Sequence, residues 1–401
     1  MTQPNAPAHN HVVIVGGGVA GLEAMLALRA LAGDRLGLTL VSEHEWFVDR
    51  PMTVAEPFGF GTAARYSTPE LAAEAGAQFV PGRVTQVDAP NRTISLSDGT
   101  DLSFDTLILA LGARPSAPFS DAITFGFEGA AQAVREMLAR LRSGEARSVA
   151  FVAPIMTGWL LPIYELALMT AGELARSGVT GVELRLLTPE DRPLALFGEE
   201  ASHSIGRLLA AAGIEFVQAS FAHTHSGGLV YGALGHPSSD YVVTLPLLSG
   251  PQLAGVPTTG PHDFFPVDEH GLVDGLDDVY AAGDAVDFPV KQGGLAAQQA
   301  DTVAAHVAAT YGAPVEPAPF RPVLRGMLFT GEEPLYLRSE VPGSDPDVPG
   351  AWYPLWWPPT KVAGRYLPPY LFERGVEEGM GGPPMGFIDV DIPLAEATLP
   401  G

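Results

Sequence analysis

The chain contains no cysteine. That excludes disulfide frameworks, thiolate metal sites, iron–sulfur clusters and any thiol relay. It leaves the compartment open, because a thiol-free chain persists in either redox environment. Lysine is almost missing too: Lys291 and Lys361 are the only two, and arginine supplies the rest of the 22 basic residues. Against 46 acidic residues this leaves a formal net charge of −24. Such a chain is repelled by phosphate backbones, which argues against a nucleic-acid partner. Met1 to Asn10 has neither Lys nor Arg, so the basic start of a secretory signal is lacking and a cytoplasmic protein is expected. Long apolar runs are scarce. Phe151 to Ala171 comes nearest to a membrane span, but it holds Pro154, Pro162 and Glu165 and reads better as a buried strand–turn–helix. At 401 residues, two or three domains are expected, with cores large enough to need no staples.

What is present is organised around glycine. His11 to Val15 reads as a buried strand, Gly16 to Gly21 as a turn, Leu22 to Ala32 as a helix and Leu36 to Val41 as a second strand. Phe79 to Asp88 and Arg92 to Leu96 read as a β-meander, and Phe104 to Ala110 as another buried strand. A weaker copy of this plan follows. Ser148 to Val152 is a strand, Leu160 to Leu174 a helix and Val182 to Leu187 a strand. Gly213 to Ala219 then opens a meander, and Asp240 to Leu245 echoes Asp105 to Ala110. Asp278 to Ala282 and Gly294 to Thr310 return to the first unit as its last strand and closing helix. The expected fold is α/β, with two Rossmann-like, three-layer (ββα) dinucleotide-binding domains, the second inserted in the first. Residues 10–118 and 253–315 form the first domain, 119–252 the second, and 316–401 an aromatic-rich C-terminal tail.

Three signals carry chemistry. In Gly16-x-Gly18-x-x-Gly21 the first glycine permits the tight turn, the second lets backbone approach a pyrophosphate, and the third lets helix and strand pack closely. The following helix N-terminus offers N–H groups and partial positive charge to phosphate. Glu43 stands near the end of the second strand, where an acid accepts hydrogen bonds from ribose hydroxyls; Ser42 holds the usual position, and a solvated loop acid is the alternative. Gly283-Asp284 ends the Val279 strand and can set an N–H and a carboxylate beside ribityl and pyrophosphate groups. The helix opening at Gly294-Leu295 can stabilise negative charge on a reduced ring. Arg50 suits phosphate pairing, with a plain surface arginine as the alternative.

GGGVAG after the first strand, TLILALGARP in mid-chain and VYAAGDAVDFP…GGLAAQQA near the end occur in that order. Together they resemble the FAD-dependent pyridine nucleotide-disulfide oxidoreductase superfamily. FVDRPMTVAEPFGFG, WLLPIYELALMTA and LRGMLFTG look closest to sulfide:quinone oxidoreductases and type II NADH dehydrogenases. The resemblance implies FAD, with its pyrophosphate at Gly16, Gly18, Ala20 and Gly21 and its adenosine ribose at Glu43. It also implies contacts at Arg50, Pro51, Val84, Ala110, Leu111, Gly112, Gly283, Asp284, Gly294 and Leu295. In the quinone-reducing relatives the C-terminal part meets the membrane and forms the quinone site. Here Trp352, Trp356, Trp357, Tyr366, Tyr370 and Phe372 leave open a lid, a homodimer contact, or a peripheral membrane or quinone contact.

Two departures shape the functional expectation. The second unit reads Ala153-Pro154-Ile155-Met156-Thr157-Gly158-Trp159 where a nicotinamide site needs its glycines, so NAD(P)H binding there is expected to be weak or absent. Without cysteine, electrons must pass directly between flavin and outside molecules. The expected activity is therefore an FAD-dependent oxidoreductase taking electrons from a small-molecule donor to a quinone or other small organic acceptor. The alternatives are an NAD(P)H dehydrogenase with a divergent nucleotide site, or a flavoprotein scaffold or sensor without turnover. Lys291 lies between Gly283-Asp284 and the ring-facing helix and is a candidate flavin-tuning cation, or else a surface lysine. His223-x-His225 lacks an acidic partner and reads as a loop, so no metal site is expected. Met156 and Trp159 read as core before pocket lining.

Overall fold

A computed structural model of the chain describes residues 10–155, 157–218, 222–225, 228–231, 239–340, 351 and 353–377. Strand β1 (Asn10–Val15), helix α1 (Val19–Ala32) and β2 (Leu36–Ser42) open the chain. A short antiparallel pair, β3 (Trp46–Val48) and β4 (Arg65–Ser67), brackets the 3-10 turns of Arg50–Phe58. Helix α2 (Thr68–Glu74) leads to β5 (Gln78–Pro81). Strands β6 (Val84–Asp88), β7 (Thr93–Leu96) and β8 (Asp101–Ser103) form an antiparallel meander before β9 (Thr106–Leu109). One expectation is corrected here. Phe79 and Val80 belong to the parallel sheet, and the meander starts only at Val84, because Pro81-Gly82-Arg83 breaks the run.

Strand β10 (Arg114–Ser116) carries the chain out of the first unit, and β11 (Ile123–Thr124) and helix α3 (Ala130–Ser143) open the second. Next come β12 (Ser148–Val152), α4 (Leu161–Arg176), β13 (Glu183–Thr188), α5 (Glu199–Ala211) and β14 (Ile214–Gln218). The pair β15 (Ala222–His225) and β16 (Gly228–Tyr231) is antiparallel, and β17 (Tyr241–Thr244) follows. The run from Gly213, expected to open a meander, is instead the parallel edge strand β14. The side chains of His223 and His225, and all of Met156 and Trp352, lie outside the described residues.

The return strand β18 (Leu247–Ser249) pairs antiparallel with the outgoing β10, so exit and re-entry run side by side. Strand β19 (Val279–Ala281) and helix α6 (Gly293–Thr310) then rejoin the first unit. The hairpin β20 (Val323–Leu328) and β21 (Leu335–Glu340) and helix α7 (Leu367–Glu377) follow.

The first sheet is parallel with order β19-β9-β1-β2-β5, and the second is parallel with order β11-β17-β12-β13-β14. Position by position these are the same layout, with β12 standing where β1 stands. The central strands are apolar on both faces, as parallel strands covered by helices must be. Val12, Val13 and Ile14 of β1 are fully buried, as are Val149, Ala150 and Val152 of β12. One face of the first sheet carries α1 and α6, whose Leu22, Met25, Leu28, Val303 and Val307 share a core with Ile14 and Leu40. The other face carries the meander, with Ile94 and Leu96 packed against Val13 and Val41. In an open parallel sheet, ligands bind beyond the carboxyl ends of the strands where the order reverses. Here that point lies past Val15, between β9 and β2.

Candidate functional site

The turn after β1 shows which glycines serve packing and which serves something else. Gly16 has φ +118°, and a Cβ there would lie 2.2 Å from the Ala110 carbonyl oxygen. A Cβ on Gly21 would lie 1.8 Å from the Gly16 carbonyl oxygen. The chain's own backbone forbids side chains at both positions. Gly18 differs: no heavy atom lies within 4 Å of where its Cβ would stand. Gly18 is also the N-cap of α1 and offers no side-chain cap to the helix N–H groups. Room above Gly18 and helix N–H groups lacking a side-chain acceptor fit a pyrophosphate. Ala20 is buried at the same helix start, and Gly283 at φ +82° brings a would-be Cβ within 3.0 Å of the Ala20 methyl. The start of α1 and the end of β19 therefore meet at this cradle.

The other expected residues surround it unequally. Glu43 is exposed, with its carboxylate 3.6 Å from the His44 ring. Ser42 is buried and occupied locally: its Oγ accepts the His44 N–H at 3.2 Å and donates to the His44 carbonyl at 2.9 Å. Glu43 is thus the acid presented after β2. Gly112, at φ +68°, has nothing within 4 Å of its would-be Cβ, and Leu111 is half-buried beside it. The Ala110 N–H donates to the Val15 carbonyl at 2.8 Å, which leaves its own carbonyl over Gly16. Arg50 is exposed and Pro51 half-buried at the start of the 3-10 turns. The Val84 side chain belongs to the core with Val13 and Val41, so only its backbone can meet a ligand.

Three expectations change at the flavin end. The Gly283 N–H donates to Gln299 Oε1 at 2.7 Å and is not free for a cofactor. The Leu295 N–H likewise donates to Gln292 Oε1 at 2.9 Å, because Gln292 caps α6. Val362 and the Ala363 carbonyl lie over Gly293 and Gly294, at 3.0 and 3.2 Å from their would-be Cβ positions, so a C-terminal segment closes over this helix start. Asp284 remains suited to hydroxyl groups. Its carboxyl is half-buried and held above the usual range by burial, with Lys291 pulling the other way.

Lys291 is no surface lysine. It is buried, donates from Nζ to the Val286 carbonyl and stands 3.6 Å above the Phe264 ring. Burial lowers its amine to about 8, against the pull of Asp284 and Asp287. Its stem fills the space beside Gly158, whose would-be Cβ lies 2.6 Å from Lys291 Cγ. Lys291 thus ties the Gly283-Asp284 turn to the loop of the second unit.

That loop lacks the open glycine of the first unit. The Ala153 N–H donates to the Leu187 carbonyl at 2.8 Å, as the Gly16 N–H donates to Val41 at 2.8 Å. With Ala153 in the place of Gly16, Ile155 follows two residues later, in the place of Gly18, and is 47% exposed. A branched side chain stands where phosphate would approach. The acid after β13, Glu190, is already engaged: it accepts Tyr164 Oη–H at 2.6 Å and the Ala195 N–H at 3.1 Å. Trp159 packs edge-on against Phe197 at 5.9 Å, as core.

The residues that sequence reasoning missed lie under the C-terminal segment. A cavity of about 660 Å³ is bounded by Val19 of α1, Met52 and Phe60, Met327 and Phe329 of the hairpin region, and Phe372 of α7. Asp49 and Lys361 also line it. Lys361 is buried, ion-paired with the fully buried Glu165 of α4, and donates to the Met327 carbonyl at 3.0 Å. Burial lowers the Lys361 amine and raises the Glu165 carboxyl, while each opposes the shift of the other. The Asp49 carboxyl has no protein hydrogen-bond partner among the described residues, and burial raises it to about 6. The segment is anchored by Glu23 of α1, which accepts the N–H groups of Arg365, Tyr366 and Leu367 at 2.7, 2.8 and 2.6 Å. The described part of the C-terminal region is therefore a wall of the site. One signal was available: Glu23 and Glu165 are acids set among apolar neighbours in their helices. Among the described residues, no helix is long and apolar enough to cross a membrane, and no cluster of metal-binding side chains occurs.

Residues 10–155 match the family described as pyridine nucleotide-disulphide oxidoreductase. The ferredoxin–NAD(+) reductase subunit of the Pseudomonas putida benzene 1,2-dioxygenase system is 32% identical over 32% of this chain and 33% of its own. The sulfide-quinone reductase of Aquifex aeolicus is 26% identical over 42% of this chain and 40% of its own. The matched region thus spans well under half the length of these two relatives. The crystal structure of the sulfide:quinone oxidoreductase from Aquifex aeolicus superimposes over 82% of this chain and 83% of its own, with a TM-score of 0.71 at 20% identity. That likeness shows the two-unit fold. Residues 10–155 thus carry the FAD-binding domain of the pyridine nucleotide-disulphide oxidoreductase family, in a chain without a cysteine.

Proposed function

We propose that the protein is an oxidoreductase in which FAD passes electrons directly from a small-molecule donor to a small apolar acceptor of the quinone type. The observation that carries this is the cavity of about 660 Å³ that meets the dinucleotide cradle at Val19. Pockets of this size and apolar lining take small organic molecules. FAD would supply hydride and one-electron chemistry, and the chain supplies binding and exclusion of water. Gly16, Gly18, Ala20 and Gly21 would hold its pyrophosphate, Glu43 its ribose, and Asp284 the ribityl hydroxyls. With no thiol to relay electrons, an acceptor has to come close to the flavin itself.

The donor is proposed not to be NAD(P)H, on the strength of Ile155 and of the engaged Glu190. The names of the ferredoxin reductase relatives favour the other reading, an NAD(P)H dehydrogenase with a divergent nucleotide site. Anaerobic stopped-flow mixing of the FAD-loaded protein separates the two. Candidate donors are screened first, and the reduced protein is then mixed with short-chain quinones. The expected result is slow or no bleaching by NADH and NADPH, and rapid reoxidation by quinone. Bleaching by either nucleotide within milliseconds refutes the first reading and establishes the second. Protein that takes up no FAD refutes both.

A further inference from the structure

Asp49 is an unusual lining group. It sits between β3 and the 3-10 turns with its backbone fixed, since its N–H donates to the Ala64 carbonyl at 3.0 Å and its carbonyl accepts the Met52 N–H at 3.1 Å. Its carboxyl lines an otherwise largely apolar chamber without a protein hydrogen-bond partner among the described residues. A half-buried carboxyl without a partner is costly, and such groups are usually satisfied by ligand or by protonation. The charged and titratable groups around it are few. Lys361 lies on the C-terminal segment, Glu165 behind it on α4, Tyr66 on β4, and Glu332 exposed at the hairpin turn. Lys361 is held by Glu165 and the Met327 carbonyl and stands 4.1 Å over the Phe329 ring. Lys361 is therefore a fixed cation, and Asp49 is the acid free to act.

We propose that Asp49 is a catalytic acid of this cavity: its carboxyl hydrogen-bonds a ring carbonyl of a flat, neutral acceptor and delivers the proton that completes reduction. The inference rests on the reading of the cavity as the acceptor site. Reduced flavin would supply a hydride, two electrons and one hydrogen, to one carbonyl oxygen of the quinone. Asp49 gives its proton to the other carbonyl oxygen, so both C=O bonds become C–O–H and hydroquinone results. The flavin would be left oxidised, and Asp49 regains its proton from water. Lys361 is a positioning residue that keeps positive potential near the oxygen as charge builds there.

Acidity and geometry agree on where to look. Burial holds the Asp49 carboxyl at about 6, so it carries a proton at pH 5 and has lost it by pH 8. The test is binding of 1,4-naphthoquinone to the oxidised, FAD-loaded protein without turnover, followed by quenching of intrinsic fluorescence from pH 5 to 8. In the natural protein the affinity should fall about tenfold over that range as the donated hydrogen bond is lost. Asp49→Asn keeps a donor at every pH, so its affinity should stay flat and near the low-pH value. Single-turnover reoxidation of the reduced protein by the same quinone should slow at least about 100-fold in Asp49→Asn. Saturable binding with a flat pH profile in the natural protein, or the same slope in Asp49→Asn, overturns the role of Asp49 and leaves the cavity reading standing. Thr62→Trp, at an exposed rim position, should block binding. No binding at any pH, or unchanged binding in Thr62→Trp, overturns the cavity reading and the proposal with it.

Discussion

Replacing Asp301 with asparagine should stabilise this protein above neutral pH and leave it unchanged near pH 4. Asp301 lies on α6 against Glu23, the carboxylate that holds the C-terminal segment. One Asp301 oxygen is buried without a hydrogen-bond partner. Burial raises the Asp301 carboxyl to about 8, and the neighbouring Glu23 adds to the rise. The Glu23 carboxyl is raised too, by burial first, while the three N–H groups and Asp301 lower it. The pair titrates as a unit and holds one proton in the folded protein over most of the neutral range. The unfolded chain loses its Asp proton near the ordinary value of about 3.9. Between that value and about 8 the folded state therefore binds more protons than the unfolded state. Stability falls as pH rises through this window, at up to about 1.4 kcal/mol per pH unit, and levels off above it.

Asp301→Asn mimics the protonated acid at every pH, since its amide can donate to Glu23 as the carboxyl does. The advantage of the variant should grow from nothing near pH 4 at that same slope, to several kcal/mol and at most about 5 at pH 8, because the amide has no proton for the unfolded chain to release. In a cooperative unit of 150–250 residues, each kcal/mol corresponds to roughly 2–4 °C in Tm. Thermal unfolding of both FAD-loaded proteins from pH 4.5 to 8.5 measures it. Amide exchange at Tyr366 and Leu367 should show the same divergence locally, because their N–H groups are the ones Glu23 accepts. Parallel Tm curves would show that Asp301 titrates normally and that no proton is shared.

Other substitutions separate the roles assigned to neighbouring residues. Gly18→Ala meets no atom within 4 Å, so it should fold normally yet bind FAD at least about tenfold more weakly, read by flavin fluorescence titration. Gly21→Ala drives a methyl to 1.8 Å from the Gly16 carbonyl oxygen and should lose stability and FAD together. Equal FAD affinity in Gly18→Ala would refute the pyrophosphate assignment. Lys361→Met leaves Glu165 charged or forced to protonate in the core and should cost about 3–5 kcal/mol in denaturant unfolding. Lys361→Met with Glu165→Leu should recover most of that loss. If the double variant is no better than the single one, the pair holds more than its own charge balance.

What was legible in the sequence was what the backbone itself demands. Gly16 and Gly21 leave a trace because a neighbouring carbonyl occupies the space of a side chain, and Gly283 because of its positive φ beside Ala20. The strand ends could be read because buried apolar runs stop at turn residues. The Pro81-Gly82 break was passed over because apolar periodicity runs across it. Gln292 was missed as a helix cap because glutamine is not among the usual N-cap residues. Glu23, Asp49 and Lys361 could not be placed at all. Glu23 meets Leu367 across 344 positions, and Lys361 meets Glu165 across 196. No local pattern records contacts at that range.

On the proposed reading, the two units explain how one fold holds a single dinucleotide. Both sheets share a strand order, and both send the residue after the central strand to the same hydrogen bond, Gly16 to Val41 and Ala153 to Leu187. Past that point the two loops diverge. In the first, Gly18 leaves room and Glu43 faces solvent. In the second, Ile155 replaces the open glycine, Tyr164 takes the acid, and Gly158 takes up the stem of Lys291. Each change spends a ligand-binding feature on contact within the protein. Lys291 and its Gly158 contact then fasten the second unit to the Gly283-Asp284 turn of the first. On the proposed reading, the second unit has changed from a donor site into a support. Electrons would then enter and leave on the side of the cradle that the C-terminal segment walls in, and the Glu23 anchor of that segment would control access to it.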